Sequence, residues 1–123
     1  MAVARVELKL TFAAAHRVDS PRAGCPGLHG HNFQLRVALE GEVDPASGTV
    51  TDLPRVEELL QELVYRPLDH GLLNDHLANP TLERLALHIA AALAPCLPEL
   101  VEIRLEDGSG RSATVGRGMP SRC

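Results

Sequence analysis

The sequence predicts an α+β fold in the order β-β-α-α-β-β, an antiparallel sheet with two helices on one face. Three observations predict it. The first forty residues hold two long runs that alternate polar with apolar, the two-residue period of half-buried strands. From Leu53 the apolar residues take up helical spacing in two segments that end near Ala94. Alternation then returns, so strand pairs flank an inserted helical pair.

The first strand is Val3 to His16, with Val6, Leu8, Leu10, Phe12, Ala14 and His16 on one face and Arg5, Glu7, Lys9 and Thr11 on the other. Ser20, Pro21, Gly24, Pro26 and Gly27 mark a loop. The second strand, His29 to Glu40, sets His29, His31, Phe33, Leu35, Val37 and Leu39 on one face. Asp44, Pro45, Ser47 and Gly48 form a turn cluster. Leu53, Val56, Leu59, Leu60, Leu63 and Val64 predict a helix capped by Thr51 or Asp52 and stopped by Pro67. A second helix from about Thr81 to Ala94 carries Leu82, Leu85, Ala86, Ile89 and Leu93. Asn79 or Thr81 caps it, Pro80 suits its first turn, and Pro95 ends it. Val101, Ile103 and Leu105 alternate with Glu102, Arg104 and Glu106; a turn at Asp107 to Gly110 leads to a last strand, Ser112 to Val115.

Composition narrows the function classes. With 123 residues, 45% hydrophobic and 23% charged, the chain reads as one globular domain over 1–123. Its only aromatic residues are Phe12, Phe33 and Tyr65, so a monomer buries little aromatic area and oligomerisation is expected. A net charge of −4 with no basic tract argues against a general nucleic-acid binder. The apolar runs are too short to span a bilayer and the N-terminus has no signal-peptide core; no membrane partner and a cytoplasmic location are expected. Cys25, Cys96 and Cys123 are widely spaced and odd in number, which favours free thiols. Cys96 reads as a small buried hydrophobe.

His29 and His31 project from one strand face, and His16 ends the apolar face of the preceding strand. If these strands pair, three imidazoles converge, a donor set that suits zinc and leaves a coordination position open. Cys25, four residues before His29, is open to two readings: a fourth ligand closing a structural site, or a thiol whose pKa the metal lowers for acid–base work. Asp69 beside His70 can orient the imidazole as a proton-transfer pair needs, or can mark an ordinary helix-ending turn. Glu106 lies on the polar parity of its strand, pointing away from the helix-covered core. His76 and His88 read as structural or surface residues.

Together these residues resemble the 6-pyruvoyl-tetrahydropterin synthase family, closest to its bacterial 6-carboxy-tetrahydropterin synthases of the queuosine pathway. The resemblance rests on Phe12 followed by three alanines and His16, Cys25 three residues short of His29-Gly-His31, Leu68-Asp69-His70 with Leu73-Asn74, Asn79-Pro80-Thr81 with Glu83, and strand-end Glu106. It implies the tunnelling fold (T-fold), a four-stranded antiparallel sheet assembled by three subunits into a barrel, with two trimers stacked as a homohexamer. It implies Zn2+ on His16, His29 and His31, and Cys25, Asp69 and His70 as catalytic residues shared across a subunit interface. Glu106 would anchor the pterin, with Thr81 and Glu83 supporting the pocket. The implied substrate is dihydroneopterin triphosphate and the product 6-carboxy-tetrahydropterin, with release of triphosphate and acetaldehyde. Alternatives are a 6-pyruvoyl product made for another pathway and a non-catalytic zinc-stabilised domain. Asp107 and Arg84 depart from the Thr and Asn common among relatives.

Overall fold

The structure, a computed structural model, describes residues 2–19 and 27–116. Two long strands, β1 (Val3–His16) and β2 (His29–Glu42), pair antiparallel along their full length, from Val3 opposite Glu42 to His16 opposite His29. Helix α1 (Leu53–Leu60) continues through a π-helical stretch, Gln61–Tyr65, into a short α2 (Arg66–Leu68). After β3 (Gly71–Leu72) comes α3 (Leu82–Leu93), then β4 (Leu100–Glu106) and β5 (Ser112–Gly116). The sheet order is β3-β1-β2-β4-β5.

Five strands stand where four were expected. The extra one is a two-residue parallel bridge in which Gly71 and Leu72 pair with Ala14 and Ala15, too short to leave a periodic signal. The remaining pairings are antiparallel, with a register shift between Ala38 and Leu39 where β2 meets β4. That irregularity explains why Val37, Ala38 and Leu39 are buried in succession and break the two-residue period. No helix among the described residues is long and apolar enough to cross a membrane.

Pro67 does not stop the first helix. In a regular α-helix its ring would collide with the carbonyl of Leu63; the π-helical stretch just before it widens the ladder there. The same stretch keeps the core in line. Val56, Leu60, Val64 and Leu68 are all buried at four-residue spacing, which drifts by about 40° per turn in an α-helix. One wider turn takes up part of that drift and returns Leu68 to the sheet.

The helix starts follow side-chain chemistry. Asp52, not Thr51, accepts the Arg55 N–H at 3.4 Å, and Thr81, not Asn79, accepts the Arg84 N–H through its hydroxyl at 3.1 Å. Pro80 lies just outside α3 and is buried. Cys96 is half-exposed, not buried, in the turn Ala94–Cys96 that follows α3. Removing the α3 cap with Thr81→Ala should lower stability by about 1 kcal/mol in thermal unfolding, with KM unchanged if the hydroxyl's work is to hold the helix.

The core lies between the sheet and the helices. Phe12, Phe33, Leu35, Leu85, Ile89 and Ile103 are each at most 1% exposed, and α3 packs across β4 and β5. On the opposite face Arg5, Glu7, Lys9, Arg36, Glu102 and Arg104 alternate with these core residues and carry the polar surface.

Candidate active site

The core face of β1 and β2 ends in imidazoles. Phe12 and Phe33, directly opposite each other, stack with ring centroids 5.2 Å apart. Above them, His31 sits opposite Ala14, whose methyl leaves room for a ring, and His29 sits opposite His16. The three rings meet edge to face with centroids 4.6, 4.9 and 5.0 Å apart. One nitrogen from each lies within 4.8 Å of the others. Pairing of the two strands has made the convergence expected from their period.

Two of these rings are oriented from behind. His16 Nδ1–H donates to the Pro80 carbonyl at 2.8 Å, and His29 Nδ1–H donates to the Gly27 carbonyl at 3.1 Å. A carbonyl can only accept, so both tautomers are set and both Nε2 atoms carry lone pairs. Those two Nε2 atoms lie 3.1 Å apart. Facing lone pairs at that distance require a proton or a cation between them. A carbonyl holding the far nitrogen of a ligating histidine is the usual outer shell of a metal site. Burial pushes His16 below its ordinary pKa; the Pro80 bond opposes this, His29 and His31 reinforce it, and Asp107 opposes it again. The neutral ring is the ligand form. The donor set therefore fits a metal ion bound by His16, His29 and His31.

Pro80 and its neighbours were not foreseen in this role. The resemblance placed pocket support on Thr81 and Glu83, yet Thr81 caps α3 and Glu83 is exposed in its first turn. What this segment gives the cluster is the Pro80 carbonyl that orients His16. Asn74 exchanges two hydrogen bonds with the backbone of Arg17, and Asn79 accepts from the Asp19 N–H, so the chain leaving His16 is held at three points.

Asp107 was also missed, and a signal existed. It continues the parity of Ile103 and Leu105, and it is 7% exposed. Burial pushes its carboxyl up, but hydrogen bonds from the Ser109 hydroxyl and N–H and the charge of His31 hold it below the ordinary range. A carboxylate on the buried parity of a strand ending beside imidazoles supplies negative charge behind the cluster.

Asp69 and His70 form a tight pair on the β1 edge. Asp69 accepts the Ala13 N–H at 2.9 Å through one oxygen and His70 Nδ1–H at 2.6 Å through the other. The Tyr65 hydroxyl also bonds to it, which raises the Tyr65 pKa. The Ala13 N–H and then the His70 bond hold the Asp69 carboxyl below its ordinary value. His70 has a positive φ of 58°, and its N–H bonds the Ala13 carbonyl at 2.6 Å. The left-handed turn leaves its imidazole 82% exposed with Nε2 open to solvent.

Because its folded-state pKa is lowered, Asp69 stabilises the fold above the carboxylate range, and that contribution is lost as pH falls through the folded value. Asp69→Asn should therefore be less stable than the wild type at neutral pH. Thermal unfolding should show the gap closing as pH falls below about 5 and on through the lowered folded value; a gap independent of pH would refute this.

Within one chain the pair does not join the histidine cluster. A cavity of about 390 Å³ lined by Ala13, Ala15, Gly30, Asn32, His31 and His70 brings the two nearest each other. A Cβ on Gly30 would meet only Ala14 O at 3.6 Å, an ordinary contact, so glycine here keeps this cavity open and serves no close backbone approach. Glu106, half-buried on the helix-free face between Gln34 and Ser112, has Arg104 at 3.3 Å and no contact with the cluster. Cys25 lies outside the described residues.

The family model described as 6-pyruvoyl tetrahydropterin synthase matches residues 5–117. The chain is 36% identical over 101 residues to the dihydroneopterin monophosphate aldolase of Pyrococcus furiosus, covering 82% of this chain and 84% of that one. It is 30% identical over 112 residues, 91% of this chain and 95% of the other, to an Archaeoglobus fulgidus protein provisionally named 6-carboxy-5,6,7,8-tetrahydropterin synthase. The structure of Caenorhabditis elegans 6-pyruvoyl tetrahydropterin synthase superposes with a TM-score of 0.86 at 27% identity, over 96% of this chain and 98% of that one. The five-stranded sheet with helices on one face is thus the tunnelling fold. A family model spanning nearly the whole chain and a matching fold lead to one conclusion: the chain belongs to the 6-pyruvoyl tetrahydropterin synthase family.

Proposed function

We propose that the protein is a zinc-dependent lyase converting 7,8-dihydroneopterin triphosphate to 6-carboxy-5,6,7,8-tetrahydropterin, with release of triphosphate and acetaldehyde, in 7-deazaguanine synthesis of the queuosine type. The observation that carries this reading is the pair of oriented Nε2 atoms 3.1 Å apart, with a third imidazole beside them. His16, His29 and His31 hold the ion. Bound there, zinc lowers the pKa of a ligating hydroxyl and offsets developing negative charge. Three protein ligands leave a position for substrate.

The chain's own residues move the protons. Cys25, four residues before His29, acts as the base at the substrate side chain. Asp69 fixes the His70 tautomer, and the exposed Nε2 accepts and returns a proton. Glu106 accepts two N–H bonds from the amino edge of the pterin. Because the Asp69–His70 pair and Glu106 stand apart from the cluster in one chain, we assign the complete site to a homo-oligomer, a hexamer of two stacked trimers. The sheet supports this: among the described residues, the outer edge of β1 has no partner strand beyond the two residues of β3, and β5 is the other edge. Edges this long call for cover.

The carboxy product is favoured by the three-residue interval between Cys25 and His29 and by the Archaeoglobus relative. Product analysis with purified protein and dihydroneopterin triphosphate tests it. Acetaldehyde with 6-carboxy-tetrahydropterin is the expected result. A 6-pyruvoyl product would transfer the protein to the activity its family is named for, and turnover of the monophosphate alone would point to an aldolase. Absence of turnover with metal bound would leave a zinc-stabilised domain and defeat the reading.

A further inference from the structure

The strand register sets three cations side by side on the helix-free face. Lys9 of β1 is opposite Arg36 of β2, and Arg36 is opposite Arg104 of β4. Each alternates with core residues: Leu8 and Leu10, Leu35 and Val37, Ile103 and Leu105. With strands about 4.8 Å apart, the row carries three positive charges along roughly 10 Å. Like charges directly opposite across a ladder are destabilising, so a row of three is costly unless something offsets it.

Of the neighbouring carboxylates only Glu106 reaches the row, at its Arg104 end, at 3.3 Å; the others, Glu7, Glu40 and Glu102, are taken by Arg5. Among the described residues no carboxylate forms an ion pair with Lys9 or Arg36. Arg36 Nε is buried with no hydrogen-bond partner. An orphaned donor in a charged group is expensive, and in a native structure it points to a missing acceptor.

We propose that Lys9, Arg36 and Arg104 form a binding site for a linear polyphosphate, whose linked oxyanions run across the strands and offset the like charges of the row. Guanidinium groups match phosphate oxygens in pairs, and the Lys9 ammonium adds a point charge at one end. A single phosphate is too short to meet all three cations. The row and the histidine cluster are on opposite faces of the sheet, so this site is independent of the proposed reaction.

Titration calorimetry and thermal unfolding of the full chain at low salt, with sodium tripolyphosphate and with orthophosphate, test it. Tripolyphosphate should bind more tightly than orthophosphate by about tenfold and raise Tm. Arg36→Gln and Arg104→Gln should each weaken tripolyphosphate by about tenfold, whereas His29→Ala should leave its affinity unchanged. Arg36→Met removes both the orphaned donor and the like-charge contact; its Tm without anion should equal or exceed that of the wild type, and the tripolyphosphate shift should vanish. Equal affinity for the two anions, binding that survives both arginine substitutions, or binding lost with His29 would each overturn the proposal.

Discussion

Replacing His29 with alanine should release the bound metal and lower kcat/KM by about a thousandfold, while the chain stays folded. The magnitude follows from the chemistry: a Lewis acid contributes several kcal/mol to a charged transition state, and each 1.4 kcal/mol is a factor of ten. His29 is the informative choice among the three. It is half-exposed, at the end of β2, and its one backbone partner is the nearby Gly27 carbonyl. His16 is buried and tied to Pro80, so its loss would also leave a buried carbonyl without its donor and confuse metal loss with destabilisation. Metal content by plasma emission, far-UV circular dichroism and kcat/KM on dihydroneopterin triphosphate read the three quantities separately. Retention of a full equivalent of metal by the folded variant would sink the three-histidine assignment. Cys25→Ala completes the comparison: metal retained with turnover lost makes Cys25 a base, and metal lost with it makes Cys25 a ligand.

Much of this was legible in the sequence because strand periodicity fixes faces. The alternation that places Phe12, Ala14 and His16 on one side of β1, and His29, His31 and Phe33 on one side of β2, needs only antiparallel pairing to bring the imidazoles together. The helix caps were legible to within one of two candidates because short polar side chains at helix starts have a single chemical purpose. What was not legible depends on backbone groups distant in sequence. Nothing local shows that the Pro80 carbonyl reaches His16, that Asp69 accepts from Ala13, or that Gly71 and Leu72 bridge to β1. The π-helical detour before Pro67 reconciles a proline with a helix, and a rule about proline alone cannot anticipate it. Asp107 stands between: its parity placed it in the core, and only the assembled site shows what the charge faces.

Phe33→Ala should be the most destabilising single substitution in the core, at about 3–5 kcal/mol, and should weaken metal binding as well. The chain has only two phenylalanines, and they are stacked on each other beneath the histidines. Phe33 is fully buried, with its ring centroid 5.5 Å from that of His31 and 6.1 Å from that of His16. Truncating it removes transfer free energy, leaves a cavity, and strips the floor from two ligands at once. Close-packed interiors relax only partly, so the imidazoles would gain room to leave the geometry that the Pro80 and Gly27 carbonyls impose. Tm should fall by more than about 10 °C. Phe33→Leu preserves most of the volume and should cost less than half as much. The discriminating measurement is metal affinity at a temperature where both variants are fully folded. If the phenylalanine layer positions the ligands, affinity falls in the order wild type, Phe33→Leu, Phe33→Ala. If the ring contributes only to stability, all three bind the metal equally and the two layers of this sheet end are energetically separate.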